Sequence, residues 1–253
     1  MVDIKQSVQS QFGRVAENYR TSQVHAVGAD LQRLIDLVSA QTVLHALDAG
    51  CGAGHAAVGI APHVGDVVAF DLTPTMLEQV TQLAADRGLN NVTTRQGDVE
   101  ALPFADATFD LVVSRYSAHH WPHPKVAISE IARVLKAGGQ FILSDIVAPD
   151  DPAQDTFLQA LELLRDPSHV RDHCVAQWQA IFNSAGLHAE IDYEWMLELN
   201  FIAWVERIQT PPLNIDMLKS LFDGAASEIQ TAFAIQETYD FSIPGALLIG
   251  HKV

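Results

Sequence analysis

The chain is poor in cysteine, in basic residues and in long apolar runs, and each shortage excludes something. Cys51 and Cys174 are its two cysteines. They are too few for a disulfide framework, and neither sits in a CxxC pair of the kind that holds zinc. Lys and Arg total 15 against 31 for Asp and Glu, a formal net charge of -16. That balance repels nucleic acids and anionic membranes, both polyanions. No stretch is long and apolar enough to span a bilayer. The opening residues, MVDIKQSVQSQFGRVAENYR, lack the apolar segment of a secretory leader, so a cytoplasmic location is expected. What is present is a core: 48% of the 253 residues are hydrophobic and 18% are charged, which suits one large domain.

No repeat or low-complexity segment interrupts the chain. Over the first 40 residues, Phe12, Val15, Ala16 and Tyr19 recur at helical spacing. Leu31, Leu34, Ile35 and Val38 share one face of a second helix, expected over residues 25–38. From Val43 the pattern changes, and residues 43–47, 67–70, 92–96, 109–113 and 141–143 read as strands. Thr73-Pro74 opens a helix, with Thr as the cap and Pro in the first position. Another helix, over 125–136, is expected to stop at Gly138-Gly139. Such alternation predicts an α/β fold, a parallel sheet with helices on both faces. After Asp145 the regularity breaks: residues 148–152 form a loop, 156–165 and 175–185 are helical, 201–233 are mostly helical, and 246–249 read as a last strand. The chain is therefore read as one domain, 1–253. Residues 1–40 are N-terminal helices, 41–146 a ligand-binding core, and 147–173 with 200–235 a lid over the strand ends.

The most informative stretch is Leu47-Asp48-Ala49-Gly50-Cys51-Gly52-Ala53-Gly54-His55, a strand running into a turn of alternating glycines. Without a Cβ, such a turn lets a ligand approach the backbone closely. A dinucleotide site would need G-x-G-x-x-G, but here His55 holds the position of the third glycine. Asp48, just before the loop, would also repel a pyrophosphate. A cationic ligand without phosphates fits better, and S-adenosyl-L-methionine carries a sulfonium, an ammonium, a carboxylate and an adenosine. Asp71 ends the second strand, where a carboxylate can accept from both ribose hydroxyls. Asp98, in Gly97-Asp98-Val99 after the third strand, is placed to accept from the adenine amino group.

Together with Val68-Ala69-Phe70-Asp71, Gly97 through Phe104, and Arg133 through Gly139, the glycine loop resembles the class I S-adenosylmethionine-dependent methyltransferases. Within them it is most similar to small-molecule enzymes of the ubiquinone/menaquinone C-methyltransferase type. The resemblance spans roughly residues 10–145. It implies a Rossmann-like seven-stranded sheet, the last strand antiparallel, and S-adenosyl-L-homocysteine as product. It further assigns Gly50 and Gly52 to the methionine portion, Asp71 to the ribose, Leu72 and Met76 to the adenosine, Asp98 and Val99 to the adenine, and Ser114 to the ammonium through its backbone. Cys51 is counted with the cofactor-binding loop, where it fills a small space rather than performing redox chemistry. Asp48 supports the loop, and Tyr19 folds over the cofactor from the N-terminal helices. Ala137 stands where the family often has proline.

His119-His120-Trp121 follows the fourth strand, where this family places substrate. Either imidazole is a candidate general base near neutral pH; shaping the pocket wall is the bland alternative. Trp121, Arg165, His169 and Arg171 are candidate substrate contacts, the arginines for an anionic group or else for surface ion pairs with Asp166 or Asp172. No metal site is expected. The partners expected are a small-molecule substrate, no nucleic acid, no membrane insertion and a possible homodimer. Methyl transfer to a small aromatic or apolar acceptor is the leading reading. Two rivals are a carboxyl O-methyltransferase acting on a carrier-protein thioester and a cofactor-binding regulator without catalysis.

Overall fold

The computed structural model describes residues 3–253, with the side chains of Gln23 and Val24 outside that description. Met1 and Val2 of the expected N-terminal helical region therefore lie outside the described residues. Helix α1 (Ile4–Arg20), the short α2 (Gln23–Ala26) and α3 (Ala29–Ser39) precede the sheet. Asp3 caps α1 by accepting from the Gln6 amide. Leu31, Leu34 and Val38 bury the face of α3 that the sequence marks.

Five strands follow, alternating with helices except between β3 and β4, which a loop joins: β1 (Val43–Ala49), α4 (His55–Ile60), β2 (Val64–Asp71), α5 (Pro74–Asp86), β3 (Val92–Gln96), β4 (Phe109–Arg115), α6 (Pro124–Val134) and β5 (Leu135–Ile146). They pair in parallel, β1 between β2 and β4 and β5 beyond β4. The central strands read as nearly continuous apolar runs because helices cover both faces. Edge strand β3 is mostly exposed and rich in Thr, Arg and Gln, which accounts for its weak signal. Three local expectations need correction. The helix expected over 25–38 is interrupted: α2 ends at Ala26, and α3 starts at Ala29 after an extended N-cap at Gly28. Thr73 stands at the α5 N-cap, but its side chain makes no capping hydrogen bond. Helix α6 ends at Val134, before the glycines, because buried Leu135 already pairs with Phe109 in the sheet. Gly138, at φ +76, then lies in the irregularity before Gln140 resumes the register opposite Leu111.

The late segments follow as α7 (Pro152–Arg165), α8 (Val175–Ser184), β6 (Leu187–Leu199), α9 (Phe201–Arg207), α10 (Pro212–Asp223), α11 (Ser227–Ala232) and β7 (Phe241–Lys252). The sheet has seven strands in the order β3-β2-β1-β4-β5-β7-β6, and β7 runs antiparallel to both β5 and β6. Two apolar layers sandwich its parallel part. A separate cluster of Phe157, Leu161, Phe201, Trp204, Phe222 and Phe233 joins α7 to α9–α11 and to the ends of β5 and β7. No described helix is long and apolar enough to cross a membrane.

Candidate active site

The C-terminal ends of β1–β4 open into a cleft of about 960 Å³, mouth included. Ligands in open α/β sheets bind at this edge. After β1, the amides of Gly50 and Cys51 both donate to the Phe70 carbonyl, at 2.8 and 3.0 Å, which hangs the glycine loop from β2. Gly50 has φ +75, and a Cβ there would stand 2.0 Å from Ser117 Oγ. Only glycine fits. At Gly52 a Cβ would meet no protein atom within 4 Å, so the absent side chain leaves room in the cleft this residue lines. Asp48 lies beneath, fully buried, and accepts from the Ala57 amide at 2.9 Å. Burial pushes its carboxyl up to about 7. The Cys51 thiol is also pushed up by burial and stays protonated.

Asp71, at the end of β2, accepts from the Gly52 amide at 2.9 Å and the Thr73 amide at 2.7 Å. Burial raises its carboxyl against the pull of those amides. The two bonds hold both oxygens at the rim of the cleft with further lone pairs to offer. Leu72 and Met76 continue the wall, as does Val99 beyond β3. Asp98 also lines the cleft, with its oxygens engaged. Oδ1 accepts from the Glu100 amide at 2.9 Å and Oδ2 from Lys5 at 2.6 Å. Lys5 bonds Glu100 as well, at 2.5 Å, so α1 is tied across the opening. Nothing local in the sequence marks Lys5, because its partners come from a distant loop.

Ser114 is fully buried in β4 and lines neither this cleft nor the one behind it; Arg115, Tyr116 and Ser117 take that side. Arg115 donates to Asp30 at 2.5 Å through Nε and to the His25 carbonyl at 2.8 Å. Tyr116 has φ +51, a backbone region costly for a bulky residue and concentrated at functional sites. Trp121 is buried in the cleft wall.

The two histidines lie on a single 3₁₀ turn, Ala118–His120, and have opposite electrostatics. The Ala118 amide and His119 Nδ1 both donate to Asp145, at 2.8 and 2.7 Å. Burial alone would strip the proton from His119, but the Asp145 carboxylate overrides it and raises the ring to about 9. Burial and the His119 charge lower His120 to about 4. His120 Nδ1 donates to the Ser168 carbonyl at 3.1 Å, which leaves Nε2 of the neutral ring bare, 3.8 Å from Asp166.

A second cavity of about 540 Å³, mouth included, lies behind the first. Phe12, Tyr19, His25, Tyr116 and His120 line both. They form a partition of rings, with centroids 4.9 Å apart for Phe12–His120, 5.4 Å for Phe12–Tyr19 and 5.0 Å for Tyr19–His25. The far walls come from α7, α9 and the ends of β5–β7, with Arg165, Trp204 and Arg207 among them. Arg165 donates to the Trp204 carbonyl at 3.2 Å and lies over that indole. Two other candidates line neither cavity. His169 is buried against Gln159, and Arg171 turns to Asp155 at 2.6 Å. The structure thus brings together Tyr19, Gly50, Cys51, Gly52, Asp71, Leu72, Met76, Asp98, Val99, His120 and Trp121 on the first cleft. His119 and Arg165 face the second.

A glycine cradle, an acid at the end of β2 and a seven-stranded sheet with this strand order define a class I methyltransferase. Residues 47–143 match the family described as methyltransferase domain. The chain is 38% identical over 224 residues to the uncharacterized methyltransferase YcgJ of Bacillus subtilis, covering 88% of each. It is 41% identical over 203 residues to the uncharacterized protein YafE of Escherichia coli, covering 80% of this chain and 98% of that one. The crystal structure of YcgJ superposes with a TM-score of 0.84 at 35% identity, over 88% of this chain and 97% of that one. The chain belongs to the S-adenosylmethionine-dependent methyltransferases.

Proposed function

We propose that the first cleft binds S-adenosyl-L-methionine and that the second cavity receives a small, largely apolar or aromatic acceptor. The single observation that carries this reading is the shared partition of rings between two adjoining cavities. When bound, the cofactor supplies an activated methyl group on a positively charged sulfur, and aromatic faces suit such a cation. The chain's own residues fit that ligand. Asp71 presents carboxylate oxygens for a pair of hydroxyls, Gly52 leaves the space a side chain would fill, and Met76 and Val99 give apolar cover. Displacement at the methyl needs alignment and exclusion of water more than it needs a nucleophilic residue. Helix α1 and the segments 147–173 and 200–235 supply that enclosure as a lid.

His120 is the group that takes or steers a proton. It faces both cavities, it is neutral, its bare nitrogen is Nε2, and Asp166 stands behind that atom to support a charge. His119, already protonated, holds the turn on Asp145. Catalysis on a carrier protein is the weaker reading, because such partners are acidic and this chain has a net charge of -16. Calorimetry with S-adenosyl-L-homocysteine and with NAD tests the cofactor. Tight binding of the first and none of the second is expected, and the reverse would overturn the reading. Methyl-labelled cofactor mixed with small-molecule extracts then separates an enzyme from a regulator: label appears in a product only for the enzyme.

A further inference from the structure

We propose that the second cavity is built for an acceptor bearing one carboxylate, with Arg207 as the residue that binds it. The inference rests on the reading of that cavity as the acceptor site and comes from a charge balance around it. Of the ionisable side chains lining it, His119 is matched by Asp145 behind it. Arg165 stands 3.6 Å from Glu162 and is further held by the carbonyl and ring of Trp204. Asp172 is buried with Oδ2 making no hydrogen bond among the described residues, and burial pushes its carboxyl well up toward the neutral acid. Arg207 has no carboxylate of its own: Glu162 acts on it electrostatically, but that group is the one Arg165 already faces at 3.6 Å. Among the described residues, no carboxylate lies within 4.0 Å of its guanidinium and no hydrogen bond to that group is found, and burial and the nearby Arg165 charge both press against its protonated form. The cavity therefore holds one unmatched cation facing apolar walls that include Ile146, Leu199 and Ile243.

Scarcity of acids does not explain this, since Asp and Glu outnumber Lys and Arg by 31 to 15. Arg115, Arg165 and Arg171 each face one. A half-buried charge without a partner costs stability, and a guanidinium presents a planar donor fork that matches a carboxylate. A ligand that completes the pair recovers that cost on binding, while an uncharged analogue leaves it in place. Asp172, which burial pushes toward its protonated form, lines the same cavity and in that form offers a hydrogen-bond donor. In the sequence Arg207 reads only as a cation at the end of a short helix, favourable to the helix dipole, so nothing there distinguishes it.

The test uses the full chain and matched probes: 3-phenylpropanoate and octanoate against their primary amides, followed by ligand-observed NMR with and without S-adenosyl-L-homocysteine. The acids are expected to bind roughly tenfold or more tightly than the amides. Arg207→Gln should abolish that preference while leaving homocysteine-cofactor affinity unchanged, and Arg207→Lys should retain part of it. Amides binding as well as acids, an undiminished preference in the Gln variant, or no acid binding at millimolar concentration would each overturn the proposal. The S-adenosyl-L-homocysteine titration separates the two readings. Failure there removes the methyltransferase assignment of the first cleft, whereas acid-selective binding through Arg207 is read independently of it.

Discussion

At the scale of single residues, adjacent groups of one chemical type are driven apart by what lies behind them. His119 and His120 have ring centroids 4.3 Å apart, yet one is held protonated by Asp145 and the other is kept neutral by burial and by its neighbour's charge. Only the neutral ring faces both cavities. His120→Ala should therefore lower kcat by roughly 10²–10⁴ with S-adenosyl-L-homocysteine affinity retained. Near-normal turnover would make the ring a wall. At the cofactor end, Asp71→Ala removes the acceptors at the rim of the cleft and should weaken S-adenosyl-L-homocysteine by about 1.5–3 kcal/mol, measured by calorimetry on the folded variant. An unchanged affinity would take Asp71 out of the site.

At the scale of elements, the N-terminal helices are bound to the sheet by polar contacts that no local pattern reveals. Arg115 and Asp30 are both almost completely buried, and their pair fastens the start of α3 to the end of β4, where Ser144 also reaches Asp30 at 3.2 Å. Asp30→Ala leaves the guanidinium charged and without its acid, and should destabilise the fold by about 3–5 kcal/mol in urea unfolding. An unshifted midpoint would show that the pair contributes nothing. The limits of sequence reading fall along the same line. Strands β1, β2, β4 and β5 were legible because buried parallel strands concentrate apolar residues, and the glycine loop because its φ values demand glycine. Strand β6 was not localised, although the family resemblance implied seven strands. Its glutamates and aromatics alternate along an edge, half-buried at best over most of its length. Lys5, Arg115 and Arg207 were missed because each acquires its meaning from distant segments.

For the whole molecule, enclosure and proton balance are the testable properties. Segments 147–173 and 200–235 should gain protection from hydrogen exchange when cofactor and acceptor are both bound, since the site must exclude water. Equal exchange in both states would mean that no closure takes place. The raised pKa of His119 has a definite sign in stability. Its folded value, about 9, exceeds the usual value of 6.5, so the folded state holds this proton more tightly than the unfolded chain does. The stabilisation is full below 6.5 and is lost as pH rises from there through about 9. The difference in unfolding free energy between the parent and His119→Gln should therefore shrink by on the order of 3 kcal/mol across that interval. A difference independent of pH would show that Asp145 does not hold the ring charged. The sheet order also bears on synthesis. Strand β7 lies between β5 and β6, so until residues 241–252 leave the ribosome both neighbours expose unpaired backbone. Helices α9–α11 are translated before the strand whose Phe241 and Ile243 complete their apolar cluster. The nascent chain therefore carries its half-built second cavity as an open, sticky edge, and is most dependent on chaperone cover in the interval before residues 241–252 emerge.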